Sequence, residues 1–237
     1  MSLTCSRRAC SKLRAHGAWL RVHPLLGLFL YLSVFCLFLM VFVDKPLELY
    51  LKANVHGHVE GFFKVITNLG GGMFWYLGAI LGTVVCFVGA QMALTTEVHS
   101  RLLSWARSWA FLLAAIASSG LVVTMLKHVF GRLRPRHLFD QGLYGFEPFS
   151  LASGANSFPS GHSQTICAAM AALTVLFPRH GIWFAVIAFL VTLSRLMTTV
   201  HFLSDTLMGA YIGVAAAILL KPLFEAGGHD LKIGKPR

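Results

Sequence analysis

The chain has 237 residues, of which 56% are hydrophobic and only 12% charged, and its net charge is +11. Soluble domains carry about 25% charged residues, so too little polar surface is available here for a soluble fold, and disorder, collagen and a disulfide mini-scaffold are excluded with it. A mean hydropathy of +0.69 leaves an all-α, polytopic membrane protein. The basic residues are scattered among apolar runs rather than massed on one segment. Their excess is therefore read as a topology signal and not as a nucleic-acid surface. The five cysteines, Cys5, Cys10, Cys36, Cys86 and Cys167, form no CxxC pair, which argues against a metal or disulfide framework.

Residues 1–23 are polar and basic, with Arg7, Arg8, Lys12, Arg14 and Arg21. A nearly unbroken apolar run, 24–43, follows and predicts a retained first span. Between 44 and 69 the residues Leu47, Leu51, Val55, Val59, Phe62, Phe63 and Ile66 recur at helical spacing among Lys45, Glu48, Lys52, Glu60 and Lys64. That pattern predicts an amphipathic helix on the membrane surface, broken at Gly70, Gly71 and Gly72. Further spans are predicted at about 73–94, 109–127, 161–177, 182–200 and 206–224. A polar, glycine-containing stretch, 128–160, separates the third span from the fourth.

Six spans place both termini on one side. With the N-terminus in the cytoplasm, twelve Lys and Arg residues fall on the cytoplasmic side and eight on the other, the direction expected from the positive-inside rule. Five of those eight cluster near the ends of the third and fifth spans, where charge is costly and usually functional. Gly78-x-x-x-Gly82 and Gly209-x-x-x-Gly213 are spaced for close helix packing.

Three short stretches hold most of the polar residues on the outer side. They are Lys127-x6-Arg134-Pro135, Pro159-Ser160-Gly161-His162, and Ser194-Arg195-x5-His201-x3-Asp205. Lys127, Arg134 and Arg195 are three cations able to surround one phosphate, the arginines through a planar fork and the lysine as a point charge. Ser160, Gly161 and His162 stand where a loop enters the fourth span, so the free N–H groups of a helix start can face an anion. Asp205 lies four residues after His201, one turn if the helix continues, and can hold one ring nitrogen while the other attacks. Two imidazoles with opposite tasks, attack on phosphorus and protonation of the leaving alcohol, describe a phosphomonoesterase.

These three stretches resemble the signature motifs of the type 2 phosphatidic acid phosphatase superfamily, in order and without a substitution. The resemblance covers 127–205 and favours the integral-membrane branch over the soluble haloperoxidase branch. It implies a six-helix, metal-independent lipid phosphatase that needs no cofactor and works through a phosphohistidine. His201 would be the nucleophile, Asp205 its orienting carboxylate, and His162 the general acid and then base. Lys127, Arg134 and Arg195 would bind phosphate, assisted by Ser160 and Gly161. Arg132, Arg136 and His128 adjoin the first motif without being among its fixed positions.

The expected organisation is a basic cytoplasmic tail, 1–23, a six-helix phosphatase domain, 24–224, with motifs at 127–135, 158–163 and 194–205, and a second cytoplasmic tail, 225–237. The expected partners are the bilayer and a lipid phosphate: phosphatidic acid, phosphatidylglycerophosphate, undecaprenyl pyrophosphate or a lipid A phosphate. The expected location is a bacterial inner membrane with the site facing the periplasm. The loop 136–158, with Phe139, Leu143, Tyr144, Phe146, Phe149 and the carboxylates Asp140 and Glu147, is a candidate for substrate selectivity. The competing reading is a transporter or flippase that binds an anionic headgroup without hydrolysis.

Overall fold

The computed structural model describes residues 16–150, 154–226 and 230–231. Arg7, Arg8, Lys12, Arg14, Cys5 and Cys10 of the N-terminal tail, and Lys232, Lys235 and Arg237 of the C-terminal one, lie outside them. Among the described residues, nine α-helices follow residue 23: α1 (Pro24–Phe42), α2 (Asp44–Asn54), α3 (Gly57–Ile66), α4 (Gly72–Gln91), α5 (Thr96–Phe130), α6 (Pro135–Gln141), α7 (Gly161–Leu176), α8 (Gly181–Met197) and α9 (Leu203–Glu225). No strand occurs among the described residues; one isolated bridge joins Arg132 to Phe146.

Among the described residues, five segments are long and apolar enough to cross a membrane: Pro24–Phe42, Gly57–Gln91, Thr96–Phe130, Pro178–Met197 and Leu203–Glu225. This is an integral membrane protein. The fourth expected span, α7, has 16 residues, about 24 Å of helix against a hydrocarbon core of about 30 Å. It sits in the middle of the bundle, and Ile166, Ala168, Ala169 and Ala172 are fully buried. The third span is longer than expected. Thr95 caps α5 by accepting the Val98 N–H, and the helix runs through the polar segment 96–108, about 52 Å in all.

The amphipathic stretch is two helices, divided at Val55 and His56, followed by a 3-10 turn, Thr67–Gly70. α3 buries Phe63 and leaves Val59, Phe62 and Val65 exposed. α2 departs from the expectation. Its buried residues are Asp44, Glu48 and Leu51, so Glu48, assigned to a polar face by periodicity, points inward. The reason is a buried guanidinium, described below.

α9 packs directly on the start of α7. A Cβ on Gly209 would stand 2.3 Å from the Ser160 carbonyl oxygen, and one on Gly213 would stand 2.3 Å from that of Gln164. Only glycine permits that approach. Gly82 lies under the ring of Trp109, whereas Gly78 faces open space, so the first small-residue pair is half used.

Candidate active site

α5 ends at Gly131 in the left-handed conformation (φ 58°), with its N–H bonded to the Lys127 carbonyl. A Cβ there would collide with the Glu147 backbone. This sharp stop leaves Lys127 on the last turn of α5 and Arg134 just before α6. Asn156 gathers both cations. Its backbone carbonyl accepts from Lys127 Nζ at 2.7 Å, and its Oδ1 accepts from Arg134 Nε at 2.8 Å. Arg195, near the end of α8, donates through a terminal nitrogen to Thr67 Oγ1 at 2.6 Å. Its Nε is buried without a hydrogen-bond partner among the described residues.

The Pro159–His162 segment turns into α7. Ser160 is the N-cap, and its own N–H donates to the Asp205 carbonyl at 2.9 Å. Gly161 and His162 open the helix, where N–H groups have no intrahelical acceptor. A Cβ on Gly161 would meet no neighbouring atom. His162 lies within electrostatic range of Arg195, Lys127 and Arg134. Below it a cavity of about 450 Å³ runs between α4, α5 and α7, lined by Gly72, Tyr76, Gly120, Leu121, Lys127 and His162 among others. Leu121, on its wall, is exposed.

His201 does not lie on a helix, which corrects the expected one-turn geometry. It precedes α9, and Asp205 occupies the third position of that helix. Asp205 reaches back instead. Its Oδ2 accepts from the Phe202 N–H at 3.0 Å and from Ser157 Oγ at 2.6 Å, and lies 3.5 Å from His201 Nδ1. Ser157 Oγ is 3.4 Å from the same ring nitrogen. A carboxylate accepts only, so Nδ1 carries the proton and the Nε2 lone pair is free. His201 is 2% exposed. Burial holds its pKa down at about 3, against a smaller opposing pull from Asp205, so the ring is neutral at physiological pH.

The other Asp205 oxygen belongs to a network that sequence reasoning missed. Arg132 donates to Asp205 Oδ1 at 2.5 Å and Ser204 Oγ at 2.7 Å through one terminal nitrogen. Through the other it donates to Asp44 Oδ2 and the Tyr144 hydroxyl, each at 2.9 Å. Its guanidinium lies 4.3 Å from the Phe202 ring centroid. Burial opposes the charge of Arg132, but Asp205 and Asp44 outweigh it and hold its pKa above the ordinary value. One cation already faces two carboxylates. Glu48, one turn beyond Asp44, is fully buried with neither oxygen bonded among the described residues. Burial pushes its pKa up to about 9, with Asp205 and Asp44 adding to the effect, so it is carried as a neutral acid.

The structure brings together every expected site residue: Lys127, Arg134, Ser160, Gly161, His162, Arg195, His201 and Asp205. Of the three neighbours of the first motif, Arg132 is central. His128 is exposed and bonds back to the Thr124 carbonyl, while Arg136 packs beside Gly154 and His137. Tyr144 and Phe146, candidates for selectivity, flank Arg132 instead. Asn156, Ser157, Asp44 and Thr67 were missed; only the polar pair just before the second motif gave a signal.

Residues 108–227 match the model of the PAP2 superfamily, and the chain belongs to that superfamily. It is 30% identical over 206 residues to the lipid A 1-phosphatase of Rhizobium johnstonii, covering 87% of this chain and 83% of that protein. It is 37% identical over 128 residues to the lipid A 1-phosphatase of Rhizobium etli, covering 53% and 55% respectively. The fold is similar to that of the transmembrane PAP2-type phosphatidylglycerolphosphate phosphatase from Bacillus subtilis, with a TM-score of 0.61, 23% identity and coverage of 90% of this chain and 98% of that one. Aquifex aeolicus LpxE gives a TM-score of 0.54 at 22% identity, over 75% and 93% of the two chains.

Proposed function

We propose that this membrane lipid phosphatase removes the 1-phosphate of lipid A through a phosphohistidine on His201. The observation that carries the chemistry is the pair His201–Asp205, held with one ring nitrogen free and with Lys127 and Arg195 within electrostatic range. Nε2 of His201 attacks phosphorus and the bond to the lipid oxygen breaks, while His162 protonates that oxygen. Water then attacks phosphorus, His162 takes its proton, and the N–P bond breaks to release inorganic phosphate. Lys127, Arg134 and Arg195 offset the charge of the transferring group, with the α7 N–H groups and Ser160 assisting. The unpartnered Nε of Arg195 is a buried donor that a phosphate oxygen would satisfy. These cations do what a metal does in other phosphatases, so the reaction proceeds without one.

The cavity between α4, α5 and α7 supports a lipid substrate, because its wall includes Leu121, an exposed apolar residue of a helix long and apolar enough to cross a membrane. The lipid A assignment follows the names of the Rhizobium relatives. In this reading α1, α4, α5, α7, α8 and α9 are six spans of one domain, 24–224, between cytoplasmic tails 1–23 and 225–237. α2 and α3 lie at the outer interface, and the site faces the periplasm across a bacterial inner membrane.

Phosphate release from lipid A, phosphatidic acid, phosphatidylglycerophosphate and undecaprenyl pyrophosphate in detergent micelles tests this. The fastest turnover is expected with lipid A, at its 1-position. Release from none of the four would leave the flippase reading.

A further inference from the structure

We propose that Arg132 and Asp44 are positioning residues for catalysis: together they fix the carboxylate of Asp205 that aims His201. This rests on the reading of His201 as nucleophile.

Four groups engage Asp205. Ser157 Oγ, the Phe202 N–H and His201 Nδ1 all meet Oδ2, at 2.6, 3.0 and 3.5 Å. Arg132 alone among the described side chains meets Oδ1, at 2.5 Å. The orientation of the carboxylate plane therefore depends on that guanidinium. Arg132 in turn has a rigid planar fork, and its second prong is set by Asp44 and Tyr144, each 2.9 Å away. Tyr144 is itself anchored by donating to the Met40 carbonyl at 2.5 Å.

Asp44 does more than neutralise charge. It accepts from the Ser204 N–H at 3.2 Å and from the Ser204 hydroxyl. Ser204 is in the first turn of α9, where backbone N–H groups lack helical acceptors. One carboxylate on α2 thus holds the start of the helix that carries Asp205 and also the arginine that grips it. Asp44 and Arg132 are 0–1% exposed at their side chains. A buried ion pair is poor evidence for stability, because desolvation offsets attraction and an apolar replacement is often as stable. A role in geometry accounts for its presence where a purely stabilising one does not. Glu48 completes the arrangement by staying protonated, so no third carboxylate competes for Arg132.

The pair touches neither His201 nor the phosphate cations. Its loss should therefore slow chemistry without weakening phosphate binding. Asp44→Asn preserves shape, Arg132→Lys preserves charge without the fork, and Arg132→Met removes the charge. Each variant is purified, its folding checked by thermal melting, and its kcat and KM measured on lipid A in micelles, with the vanadate inhibition constant as a separate reading of the phosphate pocket. Asp44→Asn and Arg132→Lys should lose about 10- to 100-fold in kcat, the scale of partners that orient a reacting ligand. KM and vanadate inhibition should change less than about 3-fold, because the phosphate cations are untouched. Arg132→Met should lose more than Arg132→Lys. A folded Asp44→Asn with wild-type kcat, or a loss expressed in KM alone, would overturn the proposal. If the wild type forms no phosphoenzyme and His201→Ala keeps its activity, the nucleophile assignment has failed instead. If both arginine variants misfold, Asp44→Asn and Ser204→Ala, which keep the guanidinium, still decide.

Discussion

Gly70 lies against the imidazole of His162. A Cβ at position 70 would stand 3.1 Å from His162 Cβ, 3.2 Å from its Cδ2 and 2.9 Å from a methyl of Val191. The missing side chain is what lets this ring, the proposed general acid, sit where it does. Gly70→Ala should therefore displace the ring while leaving the phosphate cations in place. We expect kcat on lipid A to fall by about 10-fold or more, within the range general acid catalysis supplies. A substrate with a good leaving group, such as p-nitrophenyl phosphate, needs less protonation and should lose less. An equal loss on both substrates would show that the ring is not the acid.

His201→Ala should abolish turnover, and the acid-labile phosphoenzyme trapped in the wild type should be absent from it. The same residue sets an acid limit on stability. Its folded-state pKa, about 3, is below the ordinary value near 6.5, so the fold favours the neutral ring. Its contribution is intact above about pH 6.5 and lost as pH falls from there toward 3. The melting temperature of His201→Asn should decline less than that of the wild type between pH 7 and 4.

Glu48 acts in the opposite direction. A pKa raised to about 9 means that the fold favours the protonated acid. Stability is unaffected below about pH 4.5 and decreases as pH rises from there toward 9. Glu48→Gln keeps the shape without the titration. Its melting temperature relative to wild type should rise between pH 5 and 8.5, by about 2–4 °C for each kcal/mol recovered. A constant difference across that range would mean that Glu48 is ionised in the fold.

The phosphate pocket should respond through affinity. Asn156→Ala removes the acceptor for Arg134 Nε but keeps the carbonyl that holds Lys127. A rise of several-fold in KM is expected, with a parallel rise in the vanadate inhibition constant. Arg195→Ala should lose vanadate sensitivity and substrate affinity together. Chelator should leave the wild-type rate unchanged, and a rate restored by magnesium would contradict the assignment.

Orientation is open to single-cysteine labelling in a cysteine-free background. Tyr144 is a poor probe, because its hydroxyl is bonded on two sides. Asp140, exposed at the end of α6, is a better one. An impermeant reagent should modify Asp140→Cys in intact spheroplasts, and Arg107→Cys only after lysis. The reverse pattern would put the substrate in the inner leaflet.

Most of the candidate site was legible as one cluster because it lies in short, ordered stretches of polar residues. The supporting contacts were not. Arg132 meets Asp44 across 88 residues, Ser157 meets Asp205 across 48, and Arg195 meets Thr67 across 128. No periodicity reports such pairings. The inward face of α2 was misread for a related reason. Hydrophobic patterning assumes that carboxylates seek water, but Asp44 pairs with a buried guanidinium and Glu48, one turn on, is carried inward on the same face. α7 was recognised as a helix, but its 16 residues fall short of a normal span because its neighbours, rather than lipid, surround it.

The close contact between α9 and the start of α7 has an evolutionary consequence. The Ser160 N–H is bonded to the Asp205 carbonyl, and Gly209 admits no side chain against Ser160. The turn proposed to bind the anion and the residue whose carboxylate meets His201 are thereby tied backbone to backbone, with no adjustable side chain between them. The reacting geometry can hardly drift, whatever happens to the surface residues of either helix. Variation in the lipid accepted must then accumulate in the cavity walls contributed by α4 and α5, which can change without disturbing the apparatus that cleaves the phosphate.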